Sequence, residues 1–274
     1  MAGMMIDFSM GRSFVTAFLR MTFFLNMPKF SIVIPTKNEE VHLPALLSTI
    51  KSQTYRDFEV IVADAFSTDK TREIARAFGA QVVDGGMPGP GRNRGAEVAR
   101  GDIIIFLDAD VRLPSSKYLE DCWHEMEYKK LALASCKVIP LSSKPIDRAL
   151  HEAYNAYALA TEKIRPHAPG FCILVRRRVH QSINGFDEEV VIAEDHDYVQ
   201  RAARLGHKFG VLRSHPIAVS VRRLDKDGRL SIALKYVFVE MRMMTSGSVK
   251  GDMPFNYEMG GESQEHENTR TREQ

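Results

Sequence analysis

Ile103-Ile104-Ile105-Phe106-Leu107-Asp108-Ala109-Asp110 decides the fold. The first five residues are apolar and rich in isoleucine, the composition of a strand buried on both faces. Two carboxylates around one small residue then close the run. Charges at a strand end need water, a partner or a cation, because burying them unpaired is costly. A hard divalent ion shared with phosphate oxygens would satisfy Asp108 and Asp110, since Mg²⁺ takes a carboxylate or two plus substrate phosphates. An acidic turn capping a helix that starts near Pro114 is the alternative for an isolated Asp-x-Asp. In open α/β sheets, ligands gather beyond the carboxyl ends of the strands, where this pair stands.

Upstream, Phe30 to Pro35 and Phe58 to Ala63 are similar apolar strands, and Gln81 to Val83 is a shorter one. Between them, Glu39 to Gln53 places Val41, Leu43, Leu46, Leu47 and Ile50 at helical spacing. Ser67-Thr68-Asp69 offers N-cap chemistry for a helix over Lys70 to Phe78. A glycine-rich turn, Gly85 to Gly91, leads into a helix ending near Arg100. Strands alternating with helices predict an α/β, doubly wound, mainly parallel sheet with flanking helices. Downstream the rhythm changes. Helices are expected near Ser116 to Tyr128, Ile146 to Lys163 and Ile192 to Gly206. Strands are expected near Leu131 to Val138 and Phe171 to Val175, with two short ones between His207 and Val221. This half extends the same sheet, which keeps the chain a single domain.

The 274 residues suit one large α/β domain with appendages, and the formal net charge of +2 offers no global attraction to nucleic acid. Cys122, Cys136 and Cys172 are odd in number and widely spaced, which suits a reducing cytoplasm better than a disulfide framework or a zinc site. No run reaches the length of a membrane span. The nearest, Ser13 to Met27, is broken by Arg20, and the fold is expected to begin at Pro28. Gly260 to Gln274 is almost wholly polar and is expected to be disordered.

Four stretches in order resemble the family 2 glycosyltransferases, inverting enzymes of GT-A fold that use nucleotide-diphosphate sugars. They are Ser31 to Glu40, Val60 to Thr71, Gly91 to Gly95 leading to the Asp108-Ala109-Asp110 strand, and Gly185 to Glu188 followed by Ala193 to Asp197. The resemblance covers about Lys29 to Phe209. It implies a GT-A-like domain over 28–222, after an extension over 1–27 and before an amphipathic helical segment over 223–250 and a polar tail over 251–274. It also implies Mg²⁺ or Mn²⁺ held by Asp110 and Asp108, and a nucleotide sugar as donor. The implied acceptor is a hydroxyl of a glycan, a lipid-linked molecule or a small molecule.

Individual residues support two readings each. Asp64 ends its strand where a carboxylate can accept a base N–H, but Asp also folds back onto its own turn. Pro35, Thr36 and Glu39 line the same expected nucleoside pocket, with helix capping the alternative for Thr36 and Glu39. Arg92 opens a helix where backbone N–H groups favour anions, and its fork can reach a pyrophosphate, with a solvated surface arginine the alternative; the resemblance makes Arg92 and Asp108 donor-binding. Arg94 reads as a surface arginine. Glu194 and Asp195 cannot share one helix face, so they are expected to differ in role. By resemblance Asp195 is the general base, and Glu194 and Gly170 lie on the acceptor side. An acid stabilised at a helix N-terminus is the other reading of Asp195.

Departures from the pattern narrow the choice. Ala65 and Phe66 stand where Asp-Gly is common, and Lys37 where an aromatic residue stacks. Arg112 replaces the glutamine of dolichol-phosphate-mannose-synthase-like members. No Gln-x-x-Arg-Trp follows Asp195, which argues against a processive synthase. The rivals are an NAD(P)-dependent oxidoreductase, suggested by Gly89, Gly91 and Gly95, a nucleotidyltransferase, and a non-catalytic nucleotide-sugar-binding protein. Against the first, the glycine turn follows the third strand and the chain lacks Tyr-x-x-x-Lys. Finally, Arg222, Arg223, Lys226 and Arg229 precede Leu230 to Met244, where Ile232, Leu234, Val237, Phe238, Met241 and Met244 can share a face. Such a basic amphipathic helix suits either an anionic membrane surface on the cytoplasmic side or packing on the domain itself.

Overall fold

The computed structural model describes residues 29–86 and 88–251. The expectations for Ser13 to Met27 and for Gly260 to Gln274 lie outside the described residues. Strands β1 (Phe30–Thr36), β2 (Phe58–Asp64), β3 (Gln81–Asp84) and β4 (Ile103–Leu107) pair in parallel, in the order β3-β2-β1-β4. Both β1 and β4 are buried along their whole length, as unbroken apolar runs require. Beyond β4 the sheet continues through β7 (Cys172–Arg176), β6 (Leu133–Pro140), β9 (Phe209–Val219) and β5 (Val111–Arg112). There β4/β7, β6/β7 and β5/β9 pair antiparallel, while β6/β9 is parallel. The result is one mixed, mostly parallel eight-stranded sheet.

Helices cover both faces. One face packs against α1 (Leu43–Lys51), α2 (Thr71–Phe78) and α4 (Tyr118–Tyr128). The other packs against α3 (Pro88–Val98), α5 (Pro145–Thr161), α6 (Arg177–Ser182) and α7 (Glu194–Arg204). Close approach of α3 to β1 explains Gly95, where a Cβ would collide with the Val33 side chain. A small second sheet pairs β8 (Val190–Ile192) with β10 (Val249–Lys250). Between them, α8 (Arg222–Asp227) and α9 (Arg229–Ser246) run along the domain. No helix among the described residues is long and apolar enough to cross a membrane.

Several boundaries differ from expectation for physical reasons. The helix expected from Glu39 begins at Leu43, with Pro44 in its first turn. Asn38 is left-handed (φ 52°), which turns the chain first, and Val41 is left 74% exposed. The two short strands expected between His207 and Val221 are one strand, β9. Its register jumps from Cys136↔Leu212 to Val138↔Ile217, so Arg213 to Pro216 bulge outward. The Glu125 carboxylate accepts the N–H groups of Arg213 and Ser214 that the bulge frees, at 2.8–2.9 Å. The helix expected from Ile192 starts at Glu194 because β8 claims Ile192 and Ala193 turns left-handed (φ 56°).

Candidate active site

The carboxyl ends of β2, β1 and β4 lie side by side on one edge of the sheet, and they carry Asp64, Thr36 and the Asp108–Asp110 turn. Asp64 and Thr36 are register partners, with Thr36 Oγ1 donating to Asp64 Oδ2 at 3.0 Å. Asp64 is fully buried and also accepts from Ser67 N (3.0 Å), Ser67 Oγ (2.6 Å) and Arg72 Nη1 (3.3 Å). A carboxylate has about four acceptor directions, so all are engaged. The turn below it is held by Lys37, whose ammonium donates to the carbonyls of Ala65 (2.7 Å) and Phe66 (2.9 Å). That leaves the Phe66 ring 64% exposed at the rim.

Arg92, in the first turns of α3, is 2% exposed. Its Nη2 donates to Asp108 (3.0 Å) and to the Gly170 carbonyl (3.1 Å), and its Nη1 to Glu194 (2.6 Å). Salt bridges to two acids hold this guanidinium protonated despite burial. Burial and the neighbouring Asp195 push the Glu194 carboxyl up, against the pull of Arg92. Gly170 is the spacer between these groups. A Cβ there would lie 2.5 Å from Arg92 Nη2 and 3.2 Å from Asp195 Oδ2. Glu194 and Asp195 make different contacts: Glu194 is tied to Arg92, while Asp195 Oδ1 accepts the N–H of His196 at 2.8 Å.

Arg222, at the start of α8, grips the other acids of the cleft. It donates to both oxygens of Glu39 (3.0 and 2.7 Å) and pairs through Nε with Asp110 (2.9 Å). Burial raises the carboxyl pKa of both Glu39 and Asp110; Arg222 opposes the rise, and the nearby Asp108 adds to it. Glu39 and Asp110 thus share Arg222, with Asp108 near enough to act on both. No cluster of three or more His, Cys, Asp or Glu ligands is preassembled among the described residues. Asp108 and Asp110 nevertheless supply the hard oxygens that Mg²⁺ or Mn²⁺ takes alongside substrate phosphates, so the residues fit such an ion.

The sequence places Arg222 and Arg229 in a basic run that suits either a membrane surface or packing on the domain itself. Arg229 pairs with Asp147 (2.6 Å) and Asp225 (2.8 Å), and Arg222 belongs to the cleft. The expected apolar face of α9 needs correction, because Ile232 is buried, together with Val239 and Met243. Leu230, Leu234, Val237, Phe238 and Met241 are more than half exposed; the Met244 side chain lies outside the described residues. From α9, Glu240 reaches back to His196 Nδ1 (3.0 Å) and Arg165 (2.9 Å). Apart from the i,i+4 pair Arg229–Asp225, nothing local in the sequence signals these contacts, which join residues 44 to 183 positions apart.

A family profile described as Glycosyl transferase family 2 matches residues 31–183, more than half of the 274-residue chain. The 4,4'-diaponeurosporenoate glycosyltransferase of Staphylococcus haemolyticus is 40% identical over 99 residues, 33% of this chain and 26% of that relative. The chain therefore spans well under two thirds of that relative's length. The mannosyltransferase PcManGT of Pyrobaculum calidifontis, solved in complex with GDP-Man and Mn²⁺, superposes with a TM-score of 0.64 at 20% identity, covering 86% of this chain and 73% of its own. TarS of Staphylococcus aureus in complex with UDP-GlcNAc gives a TM-score of 0.58 at 21% identity, covering 71% and 59%. At such identities the two structures establish the shared fold alone. With all of β1 but Phe30, the Asp64 turn, α3 and the Asp108–Asp110 turn inside the matched residues, the chain belongs to glycosyl transferase family 2.

Proposed function

We propose that this protein transfers a sugar from a UDP- or GDP-sugar to an acceptor hydroxyl by metal-dependent direct displacement with inversion. The observation that carries this reading is the meeting of Asp108, Arg92, Gly170 and Asp195 at the carboxyl edge of the parallel strands. Pro35, Thr36, Glu39 and the Asp64 turn form the nucleoside side. For Asp64 to accept a base N–H, one of its present donors has to give way. Arg92 serves the diphosphate side by orienting Asp108 and Glu194, both of which it already holds.

Asp108 and Asp110 would hold Mg²⁺ or Mn²⁺, which supplies Lewis-acid neutralisation of the departing diphosphate. Asp195 takes the proton from the acceptor hydroxyl as it attacks the anomeric carbon on the face opposite the leaving group. Glu194, tied to Arg92, is an acceptor-side wall and not a second base. The acceptor class, whether glycan, lipid-linked or small molecule, is open to the same test. Incubation with UDP- and GDP-sugars plus Mn²⁺, reading released nucleoside diphosphate, checks the reading; no release from any donor with any acceptor class sinks it.

A specific observation favours a membrane-proximal acceptor. The exposed residues Leu230, Leu234, Phe238 and Met241 recur at helical spacing along α9, whose buried side faces the domain. Insertion of this stripe into a cytoplasmic anionic leaflet would set the cleft beside a lipid-linked substrate. The pairing of Arg222 and Arg229 with internal acids leaves this attachment mainly apolar. Flotation with anionic liposomes tests it: Leu234→Asp with Phe238→Asp should abolish co-flotation, and unchanged flotation removes the membrane from the account.

A further inference from the structure

Two arginines of the cleft are engaged with acids: Arg92 with Asp108, Glu194 and the Gly170 carbonyl, which leave only its Nε without an acceptor, and Arg222 with Glu39 and Asp110. A third, Arg112, is not. No ion pair or side-chain hydrogen bond joins it to any described residue, and its Nη1 is shielded from solvent without an acceptor. A buried guanidinium N–H group ordinarily meets an acid or a carbonyl, because leaving the bond unmade forfeits its hydration.

The position of Arg112 says what is missing. It lies two residues past Asp110 on β5, opposite Ala218 of β9. Val111 and Leu113 on either side of it belong to the core beneath α1 and α4. Alternation along a strand therefore sends Arg112 to the opposite face, the one that carries α3 with Arg92 and α7 with Asp195. The strand that β5 pairs with, β9, runs on within three residues to Arg222, which itself holds Asp110. Arg112 thus stands on the same face as the reaction centre, beside the acid pair, with its fork unused.

We infer that Arg112 is a phosphate-binding residue of the cleft, contributed by this chain in addition to the Asp108–Asp110 pair. The inference rests on the nucleotide-sugar reading and deepens it by naming a ligand group. A guanidinium fork matches two oxygens of a phosphate in one plane, a geometry that a lone sugar hydroxyl does not offer, and the nucleoside control in the test below covers a base edge. The phosphate has two possible sources, the donor's diphosphate or a phosphate on the acceptor.

Calorimetric titration of the full chain separates them. Inorganic pyrophosphate with Mg²⁺ is titrated into the parent, Arg112→Gln and Arg112→Lys, and glycerol phosphate into the same proteins preloaded with UDP or GDP. Arg112→Gln should weaken one of the two by about tenfold or more. Arg112→Lys should recover part of the loss, and uridine or guanosine affinity should not move. Loss of pyrophosphate binding assigns Arg112 to the donor, and loss of glycerol phosphate binding assigns it to the acceptor. Since no described residue depends on the guanidinium, Arg112→Gln should melt no lower than the parent; Arg112→Met serves as a second neutral variant. Unchanged affinity for both anions in a folded variant, or no binding of either anion by the parent, overturns the inference. A parent that binds pyrophosphate through Arg112 yet releases no nucleoside diphosphate from any donor would instead defeat the transfer reading and leave this one standing.

Discussion

The two halves of the sheet are built by different means. From β1 to β3 each strand is followed by its own helix, β2 pairs with its sequence neighbours β1 and β3, and β4 adds to the free edge of β1. From β5 onward the cleft is closed by ion pairs across long separations: Arg92 to Glu194, Arg222 to Glu39 and Asp110, His196 to Glu240. The first half is a scaffold held by apolar burial, with acids at its strand ends. The second half brings the charges that those acids need. The difference teaches that the geometry at the ends of β1, β2 and β4 follows from local periodicity, whereas the rest of the site depends on charge pairing that only the assembled fold creates.

The sharpest way to break the comparison is to remove chemistry without shape. Asp195→Asn should leave donor binding intact and slow transfer by about 10²- to 10⁴-fold, measured as single-turnover rate beside donor Kd. Equal loss of donor affinity would make Asp195 structural. The next effect is on the scaffold. Ile105→Ala in fully buried β4 should cost about 2–5 kcal/mol in chemical denaturation. Leu234→Ala on α9, 61% exposed, should stay within about 0.5 kcal/mol.

A pH scan sharpens the packing of the second half. His180 is buried against Tyr198, whose hydroxyl lies 2.9 Å from Nδ1, and burial with the nearby Arg201 depresses its pKa from 6.5 to about 4. The unfolded chain therefore takes up the proton first. Stability from this neutral imidazole is whole above pH 6.5 and declines as pH falls towards 4, by at most about 1.4 kcal/mol per pH unit. Denaturant melts of His180→Gln should lack that component; an unchanged slope would place the proton uptake elsewhere. The smallest expected effect concerns Arg222, which is about one-third exposed. Arg222→Gln removes a cation from the acid cluster, so Mn²⁺ should bind more tightly, by about 1 kcal/mol or less. Weaker Mn²⁺ binding in calorimetry would mean that Arg222 orients the acids instead of competing for them.

Much of the scaffold was legible in the sequence because apolar runs leave few alternatives. Ile103–Leu107 is the expected strand to the residue, and β1 and β2 each extend one residue further, to Thr36 and Asp64. The Asp108–Asp110 turn, Arg92 and Asp195 were recognisable from four ordered stretches. Glu39 was legible only as a capping or pocket residue, since its partner Arg222 is 183 positions away. Arg222 itself sat in a basic run that mimicked a membrane patch. The three cysteines were read as unlinked thiols and are free, but their gathering around Tyr118 was beyond reach of spacing alone. There the Tyr118 hydroxyl meets Cys136 Sγ at 2.8 Å and Cys136 meets Cys172 at 3.5 Å. Cross-sheet neighbours of this kind follow from strand order, which residue periodicity does not specify.

The central claim is that the acid pair at the end of β4 operates on a nucleotide-sugar diphosphate. The most direct measurement is release of UDP or GDP by Asp110→Ala beside its parent, across a Mn²⁺ series with donor and acceptor saturating. The account predicts metal-dependent release by the parent and near-complete loss in the variant at every Mn²⁺ concentration, with both proteins equally folded. Release by Asp110→Ala at the parent's rate would contradict it.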